Sequence, residues 1–170
     1  LAANVWHIIG NKALYQGYAT GELEPEIVDS WEIADDQGLE LVMHVREGAA
    51  IHDIAPFSGR DFDAEDLALF LNRNSGLTAD EEGIPVAAFQ RASMTAGLIN
   101  AEAVDGNNVR ITMDRPNSSF FAGLADTRMP MFPREMIDIG FNDPMAMAGT
   151  GPYQLSVFED GVKMEYKRFD

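Results

Sequence analysis

The segment Gly59-Arg60-Asp61-Phe62-Asp63-Ala64-Glu65-Asp66-Leu67 constrains the fold more than any other, because it carries nearly every local signal of a helix entrance. Asp63 is a residue type whose side chain accepts the free N–H groups of a first helical turn. Asp66 stands at the third helical position, where a carboxylate can return the bond to the cap. Phe62 before the cap can staple onto Leu67, and Leu67, Phe70 and Leu71 recur at the i, i+3, i+4 spacing of a buried helix face. Asn74-Ser75-Gly76 closes this helix. Far along the chain, Gly149-Thr150-Gly151-Pro152-Tyr153 forms a glycine-proline corner that feeds a strand.

The segments around these two points read as hairpins. Residues 39–46 alternate, with Leu39, Leu41, Met43 and Val45 on one face and Glu40, His44 and Arg46 on the other, the pattern of a half-buried strand. Residues 26–34 form the strand before it, carrying Ile27, Trp31 and Ile33. The two are joined by Asp35-Asp36-Gln37-Gly38, in which Gly38 supplies the positive φ of the turn. Residues 101–104 and 109–113 make a second hairpin around Asp105-Gly106-Asn107, and residues 153–158 and 162–168 a third around Asp160-Gly161. Helices are predicted over residues 4–18, from Pro85 through Phe89 and Met94 to about Gly97, and over residues 118–125, with one more helical turn after Pro133. Strand pairs separated by helices define an α+β domain: antiparallel sheet hairpins with packed helices.

Charge and composition narrow the function. With 28 Asp and Glu against 12 Lys and Arg, the formal net charge is −16, and no basic stripe is present. Such a surface repels phosphate backbones and anionic headgroups, so neither a nucleic-acid partner nor membrane insertion is expected. Cysteine is absent, which excludes disulfides, zinc-thiolate sites and thiol nucleophiles together. No apolar run approaches the ~20 residues a spanning helix needs.

The polar clusters have bland explanations. Asp61, Asp63, Glu65 and Asp66 invite a calcium reading, but an EF-hand loop counted from Asp61 needs Gly sixth and Glu twelfth, where Asp66 and Asn72 stand. These carboxylates are expected to cap a helix and complement its dipole. His7, His44 and His52 show no metal-ligand spacing; His44 falls on the polar face of a strand and His52 precedes a loop, so surface positions are expected. No metal, cofactor or catalytic residue is assigned. Gly149-Thr150-Gly151 lacks the third glycine and following helix of a dinucleotide fingerprint. Five of the nine methionines fall between Met129 and Met147 and are expected to fill core gaps. Trp6, Phe89 and Arg128 lie outside the evident core and are the candidate ligand contacts. Arg128 can grip a ligand carboxylate with two bonds or spend itself on a surface ion pair.

The ordered set Pro25, Ser30-Trp31-Glu32, Asp35-Asp36, Gly38-Leu39, Val45-Arg46, Gly48, His52-Asp53, Gly59, Phe62, Ala64-Glu65-Asp66-Leu67 and Leu71-Asn72-Arg73 resembles the family-5 extracellular solute-binding proteins. Gly149-Thr150-Gly151-Pro152-Tyr153, followed by Lys167-Arg168, continues the likeness nearly to the end of the chain. Residues 54–58 look like an insertion, and Asp61 and Asp63 replace the family's usual Pro and Thr, which marks a divergent subgroup. The resemblance implies a two-lobed type II periplasmic-binding-protein architecture, of which residues 1–170 would be a fragment of lobe I. About 25–148 would be its smaller inserted subdomain, with 1–24 and 149–170 flanking segments leading to the main subdomain. It further implies capture of peptides or similar small solutes without chemistry, ABC permease subunits as partners, and a periplasmic or extracellular location, with a lipid anchor as an option in the full-length protein. It places Phe89 and Arg128 near the family's ligand. With half the cleft absent, the fragment is expected to bind weakly or not at all alone. The competing readings are a small hydrolase using a carboxylate pair from Asp35, Asp36, Asp61 and Asp63, and an acidic protein-interaction scaffold.

Overall fold

The computed structural model describes Val5, residues 8–89 and residues 91–169, and its elements follow the hairpin pattern with two exceptions. The strands are β1 (Leu14–Gln16), β2 (Leu23–Pro25), β3 (Val28–Ile33), β4 (Glu40–Val45), β5 (Leu98–Ala103), β6 (Asn108–Met113), β7 (Tyr153–Glu159) and β8 (Lys163–Arg168). Apart from the helical residues Val5, Ile8 and Ile9, the α-helices among the described residues are α1 (Ala64–Asn74), α2 (Ala79–Glu82), α3 (Phe120–Leu124) and α4 (Met136–Ile139). A four-stranded antiparallel sheet of order β3-β4-β6-β5 is the centre, and β1-β2 and β7-β8 are separate two-stranded ribbons.

The central sheet is two-faced because its strands alternate. Leu41, Met43 and Val45 of β4 and Val109, Ile111 and Met113 of β6 turn inward and are buried. Each gains about 1.5–3 kcal/mol from leaving water. Against them lies α1 through Leu67, Ala68, Phe70 and Leu71. Asn72 fixes the contact by donating to the Ala101 carbonyl and accepting from the Ala101 N–H, both at 2.8 Å. The other face carries Ser30, Glu32, His44 and Arg110 toward solvent. Gly38, at φ +72°, lets Asp35 Oδ1 accept from the N–H groups of Leu39 and Glu40 and close the first hairpin. Met129, Met131, Met136 and Met147 are core residues, while Met145 is exposed.

Two helix expectations fail. Among the described residues of 4–18, only Val5, Ile8 and Ile9 are helical, and Leu14–Gln16 is a strand. The backbone is claimed by distant partners: the carbonyls of Ile9, Asn11, Lys12 and Ala13 accept from the N–H groups of Gly151, Met131, Ile27 and Val28. Those bonds override the local helical periodicity, and in the strand that forms instead Leu14 is buried while its neighbour Tyr15 is exposed. The helix from Pro85 to Gly97 is likewise broken, into short 3-10 turns at Val86–Ala88 and Ala92–Thr95. Phe89 stands at ψ 78°, outside helical space, with its ring turned toward Arg73. The short α2, ended by Gly83, had no signal long enough to read.

Candidate functional site

Three polar assemblies lie on this frame. At the entrance of α1, Asp63 accepts from the N–H groups of Glu65 and Asp66 at 3.0 and 3.1 Å, and Asp66 Oδ2 accepts from the Asp63 N–H at 3.0 Å, a complete capping box. Asp66 is also fully buried and grips Arg60 through both oxygens at 2.6 and 2.8 Å. Arg60 in turn holds both oxygens of Glu135 at 2.6 and 2.5 Å. Arg134 gives its backbone N–H to Asp66 at 2.8 Å and its guanidinium to Asp63 at 2.6 Å. Burial works to raise the Asp63 carboxyl, but the Arg134 bond and the Asp66 N–H outweigh it and hold the group below the usual carboxylate range. Hydrogen bonding to Arg60 holds Glu135 down as well. These carboxylates are committed to structure. Asp35, from the other pair considered, spends itself on its own turn. Among the described residues, no three His, Asp or Glu side chains converge on a metal position.

The second assembly is where chain segments cross. The Gly151 N–H donates to the Ile9 carbonyl at 2.8 Å and Asn11 Nδ2 to the Thr150 carbonyl at 3.0 Å. A Cβ on Gly149 would lie 2.3 Å from the Ile9 oxygen and one on Gly151 2.6 Å from it, so only glycine permits the approach. His52, expected at the surface, is 0% exposed and pins this crossing from the other side. Its Nε2 lies 2.8 Å from the Gly151 carbonyl, and its Nδ1 is 3.4 Å from the Gly149 N–H, which can only donate. Nε2 therefore carries the proton and Nδ1 accepts. Desolvation lowers the affinity of the ring for a second proton, against the Gly151 carbonyl and with the repulsion of Lys167. His52 stands outside helix and strand, and nothing local in the sequence announces burial by partners about a hundred residues away.

The third assembly contains a candidate ligand contact. Arg128 is half-exposed and binds Asp126 with two bonds, Nε to Oδ1 at 2.8 Å and Nη2 to Oδ2 at 2.6 Å. Arg128 hydrogen bonding holds the Asp126 carboxyl down to about 2. With Gly10, Lys12, Thr127 and Pro130, Arg128 lines a hollow of about 350 Å3. Lys12 is a second cation there, paired with Glu26 at 3.0 Å and 5.3 Å from the Tyr15 ring centre. Sequence reading missed Lys12 because residues 4–18 were read as helix. Phe89 is not brought to this hollow; it is half-buried beside Arg73, whose guanidinium also faces Phe132 and Phe141 and is bound by Glu82 at 2.9 Å. Trp6 lies outside the described residues.

The arrangement of hairpins, capped helix and crossing is that of part of a two-lobed periplasmic binding protein. The periplasmic binding protein of Helicobacter pylori described as ABC transporter-associated, solved with the peptide STSA, superposes with a TM-score of 0.75 at 22% identity, over 95% of this chain and 33% of its own. Residues 22–170 match the family of bacterial extracellular solute-binding proteins, family 5 (middle), and the chain belongs to that family. Heme-binding protein A of Haemophilus influenzae is 26% identical over 155 residues, covering 85% of this chain and 28% of that protein. The dipeptide-binding protein of Escherichia coli is 26% identical over 161 residues, covering 89% and 30%. The chain thus spans less than a third of the length of these curated relatives. Among the described residues no helix is long and apolar enough to cross a membrane.

Proposed function

We propose that this chain is part of the solute-capturing component of an ABC-type importer, acting outside the cytoplasmic membrane and handing its ligand to permease subunits without chemistry. The observation that carries the reading is the family match across residues 22–170. Residues 25–148 form the inserted subdomain of the first lobe, and residues 1–24 and 149–170 flank it. The glycine crossing supports this division, because there the two flanking segments hydrogen-bond to each other and to His52 of the insert. The ligand is a small solute bearing a carboxylate, a dipeptide being the simplest, held by Arg128 with Lys12 adding charge. In a protein of net charge −16, a hollow lined by two cations, each also held by a carboxylate, offsets part of the repulsion an anionic group meets.

The test is a melting-temperature shift of the full-length parent with dialanine, hemin and a metal chelate in turn. A ligand at a hundred times its dissociation constant adds about 2.7 kcal/mol of stability. Dialanine is expected to raise the melting temperature, and Arg128→Ala is expected to remove that rise when each protein is compared with its own unliganded state. A rise that survives Arg128→Ala would refute the assignment of the site, and no rise with any probe would refute capture.

A further inference from the structure

The crossing and the hollow share a wall. Asn11 stands between Gly10 and Lys12, both of which line the hollow. Its side chain donates to the Thr150 carbonyl, and its own carbonyl accepts at 2.7 Å from the N–H of Met131, the residue after Pro130 of the hollow. Two residues earlier along the wall, the Ile9 carbonyl accepts from Gly151, and Gly151 and Gly149 are the two partners of the His52 ring. His52 is therefore linked to the wall at Ile9, next to Gly10, by a ring-to-backbone bond at Gly151 followed by one backbone–backbone bond, and it is not among the residues that line the hollow. We propose that His52 is a positioning residue for the Lys12–Arg128 hollow and that a second proton on its ring slackens the wall, so that capture weakens in mild acid.

The chemistry follows from the tautomer. Protonating Nδ1 turns the acceptor of the Gly149 N–H into a donor, so two N–H groups face each other and that bond is lost. The imidazolium formed is enclosed. Lys167 on β8 adds a like charge, and the Phe169 ring stands across it in a T-shaped contact at 4.9 Å between centroids. The crossing itself, Gly149-Thr150-Gly151, offers no carboxylate, and Asp53 on the histidine's own loop is exposed. The charge is relieved when the crossing opens, which releases the Ile9 and Asn11 bonds together. His44, the other described histidine, sits on the open sheet face against Asp29 at 2.8 Å and has no part in this route.

This proposal rests on the reading of the hollow as the ligand site, so its primary readout needs no ligand. Hydrogen exchange of the full-length parent is followed at residues 8–13 and 129–132 from about pH 7.5 to about pH 5.5, across the ordinary histidine range near 6.5. After correction for intrinsic exchange, protection in these segments is expected to fall, by up to about tenfold per pH unit for a single proton. His52→Gln keeps one donor and one acceptor but does not titrate, and it is expected to hold protection flat. Should that variant fail to fold, 15N shifts of the wild-type ring decide, with Nδ1 unprotonated at neutral pH and taking its proton as the wall loosens. Flat protection in the wild type, or the same fall in His52→Gln, overturns the proposal. Dialanine affinity is then measured over the same range: a fall in the wild type absent from His52→Gln extends the effect to capture, and a fall equal in both refutes that step. Absence of dialanine binding at every pH would refute the ligand assignment alone, leaving the exchange result to decide on His52.

Discussion

The entrance of α1 and the crossing at Gly149–Gly151 do the same job by opposite means. Each ties a segment near residue 60 to one far along the chain: Arg60 and Asp66 to Arg134 and Glu135 in the first case, His52 to Gly149 and Gly151 in the second. The entrance is built from five charged side chains, four of them partly open to water, around the buried Asp66. The crossing is built from backbone groups, the Asn11 amide and the His52 ring, with no space beside the glycines. Charged side chains reach across gaps and tolerate adjustment, whereas a backbone crossing is all or nothing. The crossing is therefore expected to be the more brittle of the two.

Substitution at the crossing tests this most severely. In Gly149→Ala the new Cβ would sit 2.3 Å from the Ile9 oxygen and 2.8 Å from its carbonyl carbon, and both are backbone atoms that cannot swing aside. We expect a loss of about 4 kcal/mol or more by chemical denaturation, at the upper end of single-residue effects. A loss below about 1 kcal/mol, the ordinary cost of a surface change, would show that the crossing yields. At the entrance, Asp66→Ala strips Arg60 of a bidentate partner and leaves the Asp63 and Arg134 backbone N–H groups without their acceptor. Breaking a buried pair costs about 3–5 kcal/mol, and here the lower end applies because both arginines remain partly exposed and Glu135 still holds Arg60. If Asp66→Ala proves the costlier of the two, the contrast between brittle and adjustable junctions is reversed.

The two junctions also differ in how far sequence alone reveals them. The capping role of Asp63 and Asp66 was legible because it is local: cap, third position and apolar stripe all fall within nine residues. Their partners Arg134 and Glu135 were not, since the sequence after Pro133 shows only one more helical turn. The glycine-proline corner was legible as a turn, and as a family resemblance, but its reason was not. What demands Gly149 and Gly151 is the Ile9 carbonyl, in a segment whose apolar spacing imitated a helix. His52 failed for the same cause, being a polar residue next to a loop whose burial comes wholly from distant backbone. Of the candidate contacts, Arg128 was singled out as a carboxylate grip or an ion pair, and it lines the hollow while holding Asp126. Lys12 was invisible inside the misread helix. Phe89 was picked as an exposed aromatic on a helix, but it ends a 3-10 turn with its ring over Arg73.

The gentlest comparison is by acid, where the junctions are expected to loosen in separate windows. His52 in the fold takes a second proton less readily than an unfolded histidine, whose pKa is near 6.5. Its contribution is therefore fully present above that value and is lost as pH falls below it. Asp63 and Glu135 titrate below their ordinary values of 3.8 and 4.5, so their contributions persist through mild acid and fade only as pH drops past those values. Monitored by hydrogen exchange, residues 8–13 and 149–151 should lose protection first, with residues 60–66 and 134–135 following at lower pH. His52→Gln should merge the two transitions into the lower one, since the glycines would then be held by an amide that carries no charge at any pH. A single transition in the wild type would mean that the junctions are mechanically one, and the distinction between them would fail.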